Sequence, residues 1–440
     1  MIFFRVTQNI NIKTTDGTMV NYFKFKLPSD VENETVYITT YDDFTDIKEI
    51  FSKVDKDKYL AKVLNEENIK KIPNFPLELG IHNDFEYKER EEFKKLDFFD
   101  LKKIDIYKQL KNNQKEEISI AFIGGVGKSI SQIVSSCTAI RILYERLKQI
   151  YKKIKFDIYI NASNNSYYSR DKQIYLMQDS INNVFPLSIN SKKFCEYDYY
   201  FDNSLDMNSL LSDLNTVDAW LFRFGIDYKK ISEDKKYNLL NLNKYKPQDS
   251  LFSKITQAKR RGKLLLFHPY SANVNKSIPQ NIAIELLKEL LLKLEDYIVV
   301  STLLLDSKIK DDNYIDLSKE SKTIEDFSYI ISLVDKIITA DTSTYHISDA
   351  FMIPTIVIFT DSNFGNKVKY YRYIKPIFIK AESKNLSKFI YENDNLTFNK
   401  FESWKRLRAN KIIKLLDSFW YNLELLKIKK EKIMNFISII

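Results

Sequence analysis

Short runs of consecutive apolar residues, each closed by a polar turn, recur from residue 117 to residue 379. Runs of this length and β-branched content read as strands buried on both faces of a parallel sheet. Ile118-Ser119-Ile120-Ala121-Phe122-Ile123 is the first, and residues 156–160 the second. Between them lie Gly124-Gly125-Val126-Gly127-Lys128-Ser129 and a long amphipathic stretch, predicted as a helix over 131–153. The same alternation returns with strands predicted over 262–267, 297–302, 336–339 and 355–359, and a last one at 377–379. Helices are predicted between them, from Ser277-Ile278-Pro279 to 295, over 324–333, and around Tyr345 to Phe351. Strand–helix alternation of this kind predicts an α/β fold of doubly wound type.

The flanks have another texture. Residues 11–27 alternate apolar and polar about Thr15-Asp16-Gly17-Thr18, a hairpin signal, and 36–40 read as a further strand. Charged, helix-like stretches at 48–68 and 87–111 are separated by a loop holding Pro73 and Pro76, so residues 1–115 are expected to form an appended α+β module. Residues 161–218 are polar and aromatic, with Glu196-Tyr197-Asp198-Tyr199-Tyr200-Phe201-Asp202 at the centre. They suit either a partly exposed strand or loop, or tyrosines and carboxylates facing a hydroxyl-rich ligand. Residues 218–223 predict a helix ending near Gly225. A basic, turn-like stretch at 244–261 around Pro247 is expected to be a hinge. A basic helix is predicted over 401–426, followed by a Lys-rich amphipathic end over 427–440. The expected domains are therefore 1–115, 116–250, 251–385 and 386–440.

Composition narrows the function classes only modestly. The chain has 440 residues, 44% of them apolar, enough for more than one core. Its net charge of +9 comes mostly from lysines scattered among Asn and Ile, whereas a nucleic-acid surface would want a clustered patch. Two cysteines, Cys137 and Cys195, make no disulfide framework and no metal spacing. No stretch approaches the roughly 18 apolar residues of a membrane span, and the start lacks the pattern of a signal peptide. A cytoplasmic protein is expected, with peripheral contact of the Lys-rich end at the inner membrane as the alternative to its packing back across the other domains.

Candidate chemistry gathers at predicted strand ends, where doubly wound sheets hold ligands. Asp341-Thr342-Ser343-Thr344 follows one strand and opens a short helix carrying His346. Hydroxyls there would cap the helix and leave its first N–H groups for phosphate. The bland reading is a helix cap and a core histidine. His268-Pro269-Tyr270-Ser271 follows another strand, with Lys276 shortly after. Gly127-Lys128-Ser129 invites a phosphate-loop reading, but Phe122 stands where the first glycine of that motif belongs.

These blocks resemble glycosyltransferase family 9, the ADP-heptose heptosyltransferases. His268-Pro269-Tyr270-Ser271 with Lys276 and Pro279 resembles the family's His-Pro-Gly block with its later Lys and Pro. Asp341-Thr342-Ser343-Thr344-Tyr345-His346, with Ala350 and Pro354-Thr355, resembles its Asp-Thr-Gly block with the following His, Ala and Pro-Thr. Gly124-Gly125-Val126-Gly127 sits where the family has a Gly-Gly-Ile-Gly-Asp turn. The resemblance covers about residues 117–420 and implies a GT-B architecture, two Rossmann-like domains facing a cleft. It departs at Tyr270 and Ser343, which replace glycines, and at Lys128, which stands where the family carries an Asp proposed as general base. A Lys accepts no proton at neutral pH unless its pKa is strongly lowered. The appended amino-terminal module is similar to the subgroup that glycosylates autotransporter adhesins, although that subgroup's metal-binding cysteine cluster has no counterpart in this sequence.

The resemblance implies transfer of a heptose-like sugar from a nucleoside diphosphate sugar, ADP-heptose first. It implies an inverting reaction without a metal and without a further cofactor. The acceptor would be a surface glycan, a lipid-linked sugar or a protein. His268, Ser271, Lys276, Asp341, Thr342, Ser343, Thr344 and His346 would bind the donor. The base would be Asp198, Asp202 or Asp218. The rival readings are a non-catalytic nucleotide-sugar or glycan binder of the same fold, and a nucleoside triphosphate hydrolase using residues 124–129.

Overall fold

The computed structural model describes residues 1–25, 35–52, 62–63, 66–80, 105–111, 113, 115–203, 214–306, 309–380 and 402–419. They form two compact units, Met1–Asn241 and Leu242–Ile440. No described helix is long and apolar enough to cross a membrane. Most of the predicted 87–111 helix, and the whole 427–440 end, lie outside the described residues.

The first unit is built on a five-stranded, wholly parallel sheet. Its order is Leu77–Glu78, Tyr199–Asp202, Glu117–Ile123, Lys153–Ile160, Asn183–Pro186. From the Glu117–Ile123 strand the chain winds outward one way through the next two strands, then returns to its other side with Tyr199–Asp202. The reversal leaves a crevice at the carboxyl ends of those two central strands. A second, antiparallel sheet pairs Ile189–Asn190, Tyr37–Thr39, Ile2–Arg5 and Lys62–Val63. The amino-terminal segment thus lends one strand to the parallel sheet and receives one from residues beyond it. The predicted hairpin is present as Ile10–Lys13 and Met19–Tyr22, turning at Gly17 with φ +86°.

Local chemistry explains several boundaries. The helix after the glycine turn runs Ile130–Leu147, capped by the Ser129 hydroxyl, which accepts from Gln132 N–H. It ends short of the predicted 153 because the Lys152 and Lys153 N–H groups donate to Glu116 O and start the next strand. The Thr216–Arg223 helix ends as expected before Gly225, at φ +72°. The stretch around Tyr197–Asp202 corrects the reading as exposed or ligand-facing. Every residue of the Tyr199–Asp202 strand is buried, as a strand with neighbours on both sides and cover on both faces must be. The Tyr197 hydroxyl donates to Asp157 Oδ2 at 2.7 Å, and Tyr200 packs on Phe194.

The second unit carries a six-stranded parallel sheet, ordered Tyr314–Asp316, Tyr297–Ser301, Lys263–His268, Lys336–Ala340, Thr355–Phe359, Ile374–Phe378. Counted along the chain this is 3-2-1-4-5-6, the order of dinucleotide-binding sheets, with its reversal between the first and fourth strands. The expected basic hinge is instead mostly a helix, Asp249–Arg261. Its Leu251, Ile255 and Ala258 recur at helical spacing and are buried, while the basic residues face outward. Toward the carboxyl end, the described part of the predicted 401–426 helix is a 3₁₀ turn, Glu402–Arg406, followed by a helix, Ala409–Asp417.

Candidate functional site

The reversal in the second sheet brings the ends of three neighbouring strands together. Thr339 lies in register with His268, and Ala340 with Ile358, so the loops after His268, Ala340 and Phe359 leave one edge side by side. The first loop is braced by its own hydroxyls. Ser271 N–H donates to Ser277 Oγ at 2.9 Å, and that hydroxyl donates back to Ser271 O. Asn273 caps the 3₁₀ turn Val274–Lys276, accepting from Asn275 N–H at 2.9 Å. The Thr360 hydroxyl donates to Asn275 O at 3.1 Å, tying this loop to the third one. Lys276 is thereby presented with about a third of its side chain exposed, its Nζ 3.0 Å from Asp341 Oδ2.

Asp341 is the first residue beyond its strand and is only 5% exposed. It does not cap the following helix, Thr344–Ala350. That role falls to the Thr342 hydroxyl, which accepts from Thr344 N–H at 3.0 Å and donates to Thr344 Oγ1 at 2.7 Å. Ser343 makes no side-chain cap. Asp341 is instead an ionic hub. Besides Lys276 it meets Lys367 Nζ at 3.4 Å, and the Tyr345 phenol lies close enough to feel its charge. Burial, reinforced by this carboxylate, pushes the Tyr345 phenol well above its ordinary range. Lys367 also pairs with Asp361, at 2.9 Å. Burial alone would lower the Lys367 ammonium, but Asp341 and Asp361 hold it above the usual lysine range.

Of the two histidines read from these motifs, His346 is buried and His268 half-buried. His268 closes its strand with Nδ1 3.0 Å from Thr302 Oγ1, and burial lowers the imidazole to about 4. The Thr339 hydroxyl donates to His268 O, stitching the two central strands together at the reversal. His346 packs between Tyr345 and Tyr371 with Nδ1 2.5 Å from the Tyr371 hydroxyl, and burial lowers it to about 3. Of the eight donor-side residues read from the sequence, Lys276, Asp341, Thr342, Ser343 and Thr344 lie at the edge itself, Thr344 fully buried. Ser271 and His268 brace it from behind, and His346 sits in the core. Lys367, Asp361 and Tyr345 carry charge or polarity at this edge and were not among them.

At the reversal in the first sheet the glycine-rich turn is fitted to the protein's own atoms. Gly124, at φ +92°, is flanked by Thr40 and Asn203, with Asn203 Nδ2 donating to Gly124 O at 3.1 Å. The Asn203 side-chain oxygen is buried there without a hydrogen-bond partner among the described residues. A side chain at Gly125 would meet the Tyr175 hydroxyl at 2.8 Å, and one at Gly127 would meet Gln132 Cβ at 2.8 Å. These glycines answer to packing. Lys128 is exposed and pairs with Asp42 at 2.9 Å, on the helix Tyr41–Ser52 of the amino-terminal segment.

The three candidate bases are engaged elsewhere. Asp198 precedes its strand, at the amino edge of the sheet, and accepts from Lys115 and from both N–H and hydroxyl of Ser119. Burial works to raise it, but these donors hold it below the usual carboxylate range. Asp202 is buried against the Met1 amino group at 2.7 Å. Asp218 forms a buried pair with Lys236 at 2.6 Å. A fully buried carboxylate that the sequence did not single out, Asp43, has a raised pKa. Burial lifts it to about 6, although Thr39 Oγ1 and the N–H groups of Ala162 and Ser163 donate to it. Among the described residues no group of three or more His, Cys, Asp or Glu side chains is placed to hold a metal ion.

No protein-family model matches the chain, and no curated protein matches it. Solved structures do. ADP-heptose lipopolysaccharide heptosyltransferase II of E. coli is matched at 12% identity and TM-score 0.49, over 70% of this chain and all of that one. A glycosyl transferase family 9 protein from Veillonella parvula is matched at 9% and 0.42, over 68% and 96%. The iron-containing dodecameric glycosyltransferase TibC from enterotoxigenic E. coli is matched at 10% and 0.41, over 70% and 78%. The chain is similar to these glycosyltransferases, at an identity that leaves the reaction to be argued from its own residues.

Proposed function

We propose that the protein is a glycosyltransferase that moves a sugar from a nucleoside diphosphate sugar to a hydroxyl acceptor, with the donor held at the strand-end edge of the second unit. The supporting observation is the Lys276–Asp341 pair, which spans the loops on either side of the sheet reversal. The acceptor oxygen bonds to the anomeric carbon as the bond from that carbon to the diphosphate oxygen breaks. The leaving diphosphate gains negative charge, and the Lys276 ammonium, with the half-buried Thr342 nearby, would stabilise it. ADP-heptose is the first donor to test, because the motif blocks resemble those of ADP-heptose enzymes. A glycan, a lipid-linked sugar or a protein would be the acceptor. On this reading the reaction is inverting and needs no metal.

The acceptor hydroxyl must also lose a proton. Asp42 suits this better than Asp198, Asp202 or Asp218, because it is substantially exposed and stands beside the glycine turn. The second reading, binding without transfer, draws on Lys128 itself, a residue that does not accept a proton at neutral pH.

Calorimetry with ADP and UDP, and mass detection of sugar released from a panel of nucleotide sugars, test both. Binding with turnover supports transfer, and binding without it supports the second reading. Lys276→Ala should weaken nucleoside diphosphate binding by roughly 1.5–3 kcal/mol, the scale of a charged hydrogen bond. Unchanged affinity in a folded variant would remove the donor from this edge.

A further inference from the structure

We infer that Asp341 is a resident counter-ion for two lysines, and that Lys367 is the second cation of a diphosphate clamp whose first is Lys276. The inference rests on the donor reading above and adds a residue and a device to it. Both ammonium groups contact one oxygen, Asp341 Oδ2, at 3.0 and 3.4 Å. Their separation therefore cannot exceed the sum of those two distances, a span that neighbouring phosphates of one diphosphate can bridge. The lysines reach that oxygen from two different strand-end connections, while the carboxylate is nearly buried. Each lysine remains about a third exposed. The anion is nearly buried and the cations are partly exposed, which is the arrangement needed for the cations to be handed over.

Without ligand, Asp341 keeps two like charges close together and offsets their repulsion. An arriving diphosphate brings more charge and more acceptor oxygens than one carboxylate, and phosphate–ammonium hydrogen bonds are among the strong ones. Both ammonium groups can then turn to the phosphates while Asp341 stays in its nearly buried position. Asp361, which also pairs with Lys367 at 2.9 Å, keeps that side chain over the edge throughout.

The test is calorimetry on the full chain with ADP and, separately, inorganic pyrophosphate, at low and high salt. Lys367→Met keeps most of the apolar stem and should weaken both ligands about tenfold or more, with a shallower salt dependence than the wild type. Asp341→Asn keeps the shape and removes the charge, and should bind both ligands at least as tightly as the wild type. Melting curves of each variant without ligand check that it is folded. Wild-type affinity in folded Lys367→Met overturns the clamp while leaving the donor reading standing. A loss in Asp341→Asn as large as that in Lys367→Met overturns the counter-ion role. Absence of ADP and pyrophosphate binding by the wild type overturns both the donor reading and the clamp.

Discussion

His346 Nδ1 and the Tyr371 hydroxyl lie 2.5 Å apart in the interior of the second unit, joining the helix Thr344–Ala350 to the segment that leads into the edge strand Ile374–Phe378. A histidine in this position looks like a ligand-binding residue in the sequence and works as a structural link in the fold. His346→Ala should therefore cost roughly 2–4 kcal/mol, from lost packing and a buried hydroxyl stripped of a partner. Chemical denaturation without nucleotide measures it. An unchanged midpoint would return His346 to the donor site.

Asp43 should make the first unit's stability fall with pH. Its carboxyl is neutral to about pH 6 when folded and to 3.8 when unfolded. Between those values the native state holds more protons, so stability declines as pH rises through the window. The shift corresponds to about 3 kcal/mol. Asp43→Asn should gain on the wild type progressively from pH 4 to pH 6 and by a constant amount above. Paired melts across that range decide it, and a difference independent of pH would remove Asp43 as the cause.

The Asp218–Lys236 pair is buried at both ends, with side chains 2% and 4% exposed. Asp218→Ala leaves a buried ammonium uncompensated and should destabilise by about 3–5 kcal/mol. Replacing both together, Asp218→Leu with Lys236→Met, should cost clearly less than the single change. Urea titration of the three proteins checks the order, and equal costs would argue against a charge effect.

Lys128 and Asp42 should separate stability from turnover. Their ion pair is exposed, so Lys128→Ala should change stability by less than about 1 kcal/mol. Asp42→Asn should lower kcat by about a hundredfold or more if its carboxylate takes the acceptor proton, leaving ADP affinity unchanged. Equal rates in Asp42→Asn and wild type would exclude it as the base.

How far the residues alone foretold this architecture depended on how local each determinant was. Ile120–Ile123, Leu264–Phe267 and Ile356–Phe359 announce buried strands because each is a continuous apolar run and needs no distant partner to be recognised. Lys276 and Asp341 were readable as strand-end residues for the same reason. Lys367 was not, since it lies 26 residues beyond Asp341 at the end of a short helix, Phe364–Lys367, and only the fold brings the two together. Asp43 was hidden by a longer separation, its N–H donors being about 120 residues away. The tyrosines at 197, 199 and 200 misled because polar tips suggest exposure, whereas Asp157 and the neighbouring rings satisfy and bury them.

The interleaving of the amino-terminal segment with the first parallel sheet also sets a timetable for synthesis. Leu77–Glu78 pairs with Tyr199–Tyr200, and Glu78 and Tyr200 are 122 residues apart. At the ribosome's rate of about 5–20 residues per second, the earlier strand waits roughly 6–24 s for its partner to be made. Tyr37 and Ile38 wait longer for Ile189–Asn190. Throughout that interval the nascent amino-terminal half carries unpaired strand edges, so a chaperone that shields them would raise the yield of folded chain more than one acting after release.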